Sequence, residues 1–149
     1  MKVRTSIAAA GAAVVLAGTG ALLLPAVASA HSTTHTLKFT AVTVTPHTMF
    51  SQTSAGQAEK DVNSAGKVIG YDVVNVQFNP KANTASGAVA LSTNGGFLYG
   101  ALKFTSTSNV VHGTVTGGTG AFKGATGTIT GNQNKAGTRT AVTISYTTP

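Results

Sequence analysis

A chain of 149 residues with ten lysines and arginines, three acids and no cysteine excludes several chemistries at once. There is no thiol nucleophile, no thiolate metal ligand, no disulfide staple and no iron–sulfur cluster. The net charge of +7 comes from single, scattered cations rather than clustered arginines with interleaved aromatics, so no nucleic-acid partner is expected.

At the N-terminus, Lys2 and Arg4 precede an apolar run from Ile7 to Leu24, Pro25 breaks the run, and Ala28-Ser29-Ala30 offers small cleavage-site residues. This order predicts a signal peptide over residues 1–30, a mature start at His31 and a secreted, extracellular protein. An uncleaved anchor is the weaker reading. The run reaches only the lower end of the roughly 17–25 residues that span a bilayer and is rich in Ala and Gly. No second apolar run of spanning length follows, so no integral membrane association is expected after cleavage. Loss of residues 1–30 leaves 119 residues at a net charge of +5, one domain over 31–149 large enough to bury a core without staples. Its scattered lysines suit strand edges and solubility.

The remainder is dominated by Thr, Val, Ala, Gly and Ser, with no 3.6-residue periodicity, and reads as strands. The first strand is predicted over Thr36–Thr45. Pro46–Ala65 is the least regular stretch, a short strand or a loop, most flexible at Ser51–Gly56. Glu59 and Asp61 fall within it and are expected to be solvated, with Asp61 at most capping a turn. Gly66–Phe78 follows, with Val74, Val76 and Phe78 on one face and Asp72 in the same parity. A turn at Asn79–Asn83 leads to Ala85–Thr93, and Thr93–Gly96 turns the chain again. In Phe97–Ser106, Leu98, Leu102 and Phe104 share a face with Gly100, while Lys103 marks the wet side. Val110–Thr116 carries His112, expected outward or at a rim. Gly117–Gly120 is predicted to be a tight turn whose glycines supply positive φ, Gly118 being the test position if it needs φ > 0, before a strand over Phe122–Gly131. After Lys135–Gly137, the last strand Thr138–Thr147 aligns Val142, Ile144 and Tyr146.

Regular short strands of this kind form an antiparallel barrel or sandwich. Glycines within strands (Gly70, Gly100, Gly113, Gly127) suit strongly bent barrel strands. The shared parity places Asp72, Val74, Val76, Phe78, Leu98, Leu102, Phe104, Val142, Ile144 and Tyr146 inside. Val74, Val76, Phe78, Leu98, Leu102, Phe104 and Tyr146 are the candidate ligand-binding residues. Asp72, an isolated acid on an apolar face, is the candidate catalytic residue, because burial would raise its pKa and let it exchange a proton near neutrality. The Gly-rich stretch is no phosphate loop, since Lys123 is followed by Gly124 and no helix signal comes after it. His31 and His35 read as a polar tail, and no His/Asp/Glu spacing resembles a metal site, so neither metal nor cofactor is expected.

The residues Val115-Thr116-Gly117-Gly118-Thr119-Gly120-Ala121-Phe122-Lys123-Gly124-Ala125-Thr126-Gly127 resemble the Gly-Gly-Thr-Gly-aromatic-x-Gly-Ala-x-Gly segment of the allene oxide cyclase/dirigent superfamily. Asp61 to Gly70 and Gly95-Gly96-Phe97-Leu98 precede it in the order that superfamily shows, and the similarity spans roughly Lys60 to Gly131. The resemblance implies an all-β, antiparallel closed barrel of about eight strands with a largely apolar lumen. It implies a small apolar or amphipathic ligand as partner, or a cofactor-free cyclase, isomerase or radical-coupling guide, so enzymatic activity stays open. The family carries acidic or polar lumen residues on its early strands. Leu37–Thr45 has neither a carboxylate nor an Asn, so no complete catalytic set carries over. A structural surface or matrix protein is the third reading, and a homo-oligomer is compatible with all three.

Overall fold

Thr- and Val-rich segments bounded by Gly and Asn turns form nine antiparallel strands in the computed structural model, which describes residues 32–45, 47–105 and 108–149. The expected signal segment 1–30 and its cleavage point before His31 lie outside the described residues. The strands are β1 (Thr33–Thr43), β2 (Thr48–Ser51), β3 (Ser54–Val62), β4 (Val68–Asn79), β5 (Thr84–Thr93), β6 (Gly96–Thr105), β7 (Val110–Gly118), β8 (Thr126–Gln133) and β9 (Arg139–Thr148).

Each of β3 to β9 pairs with the next, and β9 pairs with β1 along Thr33–Val42. The barrel closes where Thr40–Thr43 of β1 meet Glu59–Val62 of β3. The result is a closed eight-stranded antiparallel barrel, with β2 as an extra strand on the first half of β3. Closure leaves no long unpaired edge, which a chain without disulfides uses in place of staples.

Two expectations change here. Pro46–Ala65 is mostly strand: β2 and β3 form a hairpin whose turn is tied by the Ser51 and Ser54 hydroxyls at 2.9 Å. (Pro46 itself is outside the described residues.) The signal was weak because β3 buries small and polar side chains rather than large apolar ones. The Gly117–Gly120 turn is likewise not a tight hairpin. β7 runs on to Gly118, residues 119–125 make the connection through a 3₁₀ turn at Gly120–Phe122, and β8 starts only at Thr126. Gly118 does not have positive φ. It is needed because a Cβ there would lie 2.5 Å from the Phe122 Cβ and 2.5 Å from the Phe97 carbonyl oxygen.

That connection plugs one end of the barrel. Thr119 N–H donates to the Phe97 carbonyl at 2.8 Å, Ala121 N–H to the Gly95 carbonyl at 2.8 Å, and Phe97 N–H to Thr119 Oγ1 at 3.0 Å. Docked on the β5–β6 turn in this way, the segment inserts Phe122 into the barrel. Phe122 is buried, with its ring edge-on to Tyr146 at 5.6 Å, in a cluster that includes Leu98, Val115 and Ala125. The β4–β5 and β8–β9 connections lie at the opposite end, onto which the lumen opens.

Candidate functional site

Period-two alternation sends one set of side chains from each strand into the barrel. Large apolar residues on β4, β5, β6, β8 and β9 line a cavity of about 250 Å³ that opens at the unplugged end. Val74, Val76, Phe78, Leu98, Leu102, Phe104, Val142 and Ile144 all line it, together with Phe39, Val89 and Ile129. Phe78 stands at the mouth, where His47, Ser108, Gln133 and Thr140 add polar groups. Leu98 is fully buried at the floor. Lys103 points outward, opposite the exposed His112 of β7. Tyr146 has the inward parity but lies beyond the cavity floor. It belongs to the plug, packed on Phe122 and stacked at 5.1 Å on His35, which is part of β1 rather than of a polar tail.

Asp72 lines the cavity at its floor and is 5 % exposed. It is not isolated. The β3–β4 register sets Glu59 directly opposite it, and Asp61, opposite Gly70, lies one step further toward the plug on the same inward face. Glu59 is 5 % exposed and Asp61 fully buried, so the expectation that both are solvated is overturned. All three acids of the sequence therefore meet inside the barrel, while every lysine and arginine among the described residues is exposed. The sequence does hold a signal for this arrangement. Gln57, Glu59 and Asp61 are spaced by two, as on one face of a strand, but polar alternation is easily read as a solvated segment.

Glu59 accepts hydrogen bonds on Oε1 from Gln57 Nε2 at 2.9 Å and Thr43 Oγ1 at 3.5 Å. Among the described residues, no N–H or hydroxyl group reaches either Asp61 oxygen or Asp72 Oδ1. Asp72 is within hydrogen-bonding reach of both other carboxyls, so the hydrogen available to it is a carboxyl proton. Burial, reinforced by the charge of Asp72, pushes Glu59 up to about 7, against the opposing bonds from Thr43 and Gln57. Burial, with the charge of Asp61 adding to it, pushes Asp72 up to about 7. Asp61 rises to about 6, chiefly through burial. Like charges this close in a dry site cannot all ionise, so near neutrality the three share protons as one coupled group. The floor is thus both a proton store and a concentration of negative charge beneath an apolar chamber.

Fold and cavity together define the class: a small closed antiparallel barrel with an apolar lumen, plugged at one end and acidic at its floor. Among solved structures the chain is similar to "Pyocyanin demethylase", with a TM-score of 0.60 and 15% identity over 75% of this chain and 99% of that one. It is also similar to the Diels Alderase AbmU from Streptomyces koyangensis, with a TM-score of 0.63 and 11% identity over 82% of this chain and 72% of that one. At these identities the likeness is one of fold. No family model and no curated protein matches the chain.

Proposed function

We propose that this chain is a secreted barrel of the allene oxide cyclase/dirigent type that holds a small apolar or amphipathic molecule in its lumen. The observation that carries this reading is the apolar cavity of about 250 Å³, open at one end, with its few polar groups gathered at the mouth and the floor. That is the usual chemistry of a small-molecule site, in a cavity just below the usual size range. Eight-stranded barrels are wide enough to enclose one such ligand.

A second reading is favoured by a specific observation. Asp72 and Glu59 share protons near neutrality and face the cavity. A group of that kind supports cofactor-free cyclisation or isomerisation, in which the walls hold a reactive substrate in one conformer and a carboxyl polarises it. The Diels Alderase AbmU, a barrel of similar fold, is in keeping with such chemistry.

The test is ligand entry. Phe104→Trp places a reporter on the lumen wall, and the neutral dye N-phenyl-1-naphthylamine is expected to brighten on binding and to change the Trp emission. If the dye does not bind and the emission does not move, both ligand readings fail and the structural surface protein takes their place. Secretion is checked separately. N-terminal sequencing of the protein from culture medium is expected to begin at His31, whereas residues 1–30 retained in a membrane fraction would overturn it.

A further inference from the structure

The geometry points to a cationic ligand: an amine whose apolar body fills the lumen and whose ammonium group is held by Asp72 and Glu59 at the floor. This rests on the lumen's being a ligand site and adds the chemical class of the ligand.

The floor of the lumen carries unmet charge. Asp72 is nineteen-twentieths buried, lines the cavity, and has Oδ1 without a hydrogen-bond donor. Glu59, its cross-strand partner, also lines the cavity; apart from a carboxyl proton shared with Asp72, the donors that reach it are the neutral groups of Gln57 and Thr43, both on Oε1. Asp61 adds negative potential from behind without reaching the cavity. Among the described residues, no cation offsets this from any strand packed against the pair. β5 and β6 face it with Leu91 and Leu98, and β1 with Phe39 and the Thr43 hydroxyl. Lys60, the nearest cation in sequence, is exposed on the outer face of β3. Among the described residues, the one titratable group elsewhere on the cavity wall is His47, exposed at the mouth.

Three ligand classes meet this floor differently. An anion is repelled by it. A neutral alcohol satisfies a lone pair but leaves the charge uncompensated. An ammonium brings up to three donors and a full positive charge into a site of low dielectric, where charge-assisted hydrogen bonds are shorter and roughly twice as strong as neutral ones. The apolar walls meanwhile take up the body of the molecule, and the cavity volume limits that body to one or two rings. The basic outer surface does not attract such a ligand, so selection falls to the floor alone.

Three isosteric naphthalene probes test this on the wild-type protein at pH 8: 1-naphthylmethylamine, 1-naphthalenemethanol and 1-naphthoate. Binding is followed by calorimetry and by the naphthalene fluorescence. The amine is expected to bind at least about tenfold more tightly than the alcohol, and the naphthoate most weakly. Repeated at pH 6 in two buffers of different ionisation heat, amine binding is expected to release a proton and alcohol binding to release none. Asp72→Asn and, as a second variant, Glu59→Gln are each expected to bring the amine toward the affinity of the alcohol. If the alcohol matches the amine, or if the preference survives both variants, the cation inference is overturned while the lumen reading stands. If no probe binds, both are overturned.

Discussion

Phe122→Ala is expected to lower stability by about 3–5 kcal/mol, the range for removing a large aromatic from a packed core. Phe122 is buried although it belongs to a connection rather than a strand. Its ring packs on Tyr146, and its backbone lies so close to Gly118 that only a glycine fits there. Truncation leaves a void that the hydrogen-bonded loop cannot close, because Thr119 and Ala121 are anchored to β6 and the β5–β6 turn. Urea unfolding followed by circular dichroism measures the loss. Phe97→Ala serves as the control, since Phe97 is 45 % exposed on the outer face and its removal is expected to cost far less. A loss below about 1 kcal/mol for Phe122→Ala would mean that the plug is not part of the core.

Acid is expected to stabilise this protein rather than denature it. The folded state holds protons on Glu59 and Asp72 up to about pH 7 and on Asp61 up to about pH 6, whereas the unfolded chain releases them near the ordinary values of 4.5 and 3.8. Between those limits the native state binds more protons than the unfolded state, so stability falls as pH rises. Below the ordinary values both states are protonated and the stability is fully present; above about 7 the loss is complete. The total is on the order of 3–5 kcal/mol, since the three titrate as one group and their shifts do not simply add. This corresponds to a thermal midpoint on the order of 10–20 °C higher at pH 4 than at pH 8. Asp61→Asn is expected to raise the midpoint at pH 8 and to give no gain at pH 4, because it removes a buried charge with no N–H or hydroxyl partner. Thermal unfolding at four or five pH values checks both statements. A midpoint that climbs from pH 4 to pH 7 would show that the carboxyls are ionised in the folded state.

Both predictions depend on features that the residue pattern states unequally. Strand alternation was legible because Val74, Val76 and Phe78 in β4, Leu98, Leu102 and Phe104 in β6 and Val142, Ile144 and Tyr146 in β9 share parity within each strand, with Asn75, Gln77, Lys103, Thr143 and Ser145 on the opposite parity. A one-residue slip would put Lys103 in the core. The same parity put Asp72 on the inner face without any knowledge of its neighbours. The hairpin β2–β3 was not legible. Its inner face reads Ala55, Gln57, Glu59, Asp61, which carries the period but not the hydrophobicity that normally marks a buried strand.

By itself the sequence determined the class of the fold, the side of each strong strand that faces inward, and the dearth of acids against which Asp72 stands out. Period-two alternation and turn chemistry are local properties, readable residue by residue. The plug at Phe122, the closure of β1 on β3 and the meeting of Glu59, Asp61 and Asp72 were decided only by the tertiary structure. Each depends on the pairing register between segments distant along the chain, and register sets the distance between two carboxyls. Burial then does what no local pattern encodes, turning three ordinary acids into a proton-sharing floor, because the same closed barrel that excludes water also leaves every lysine and arginine among the described residues on the outside.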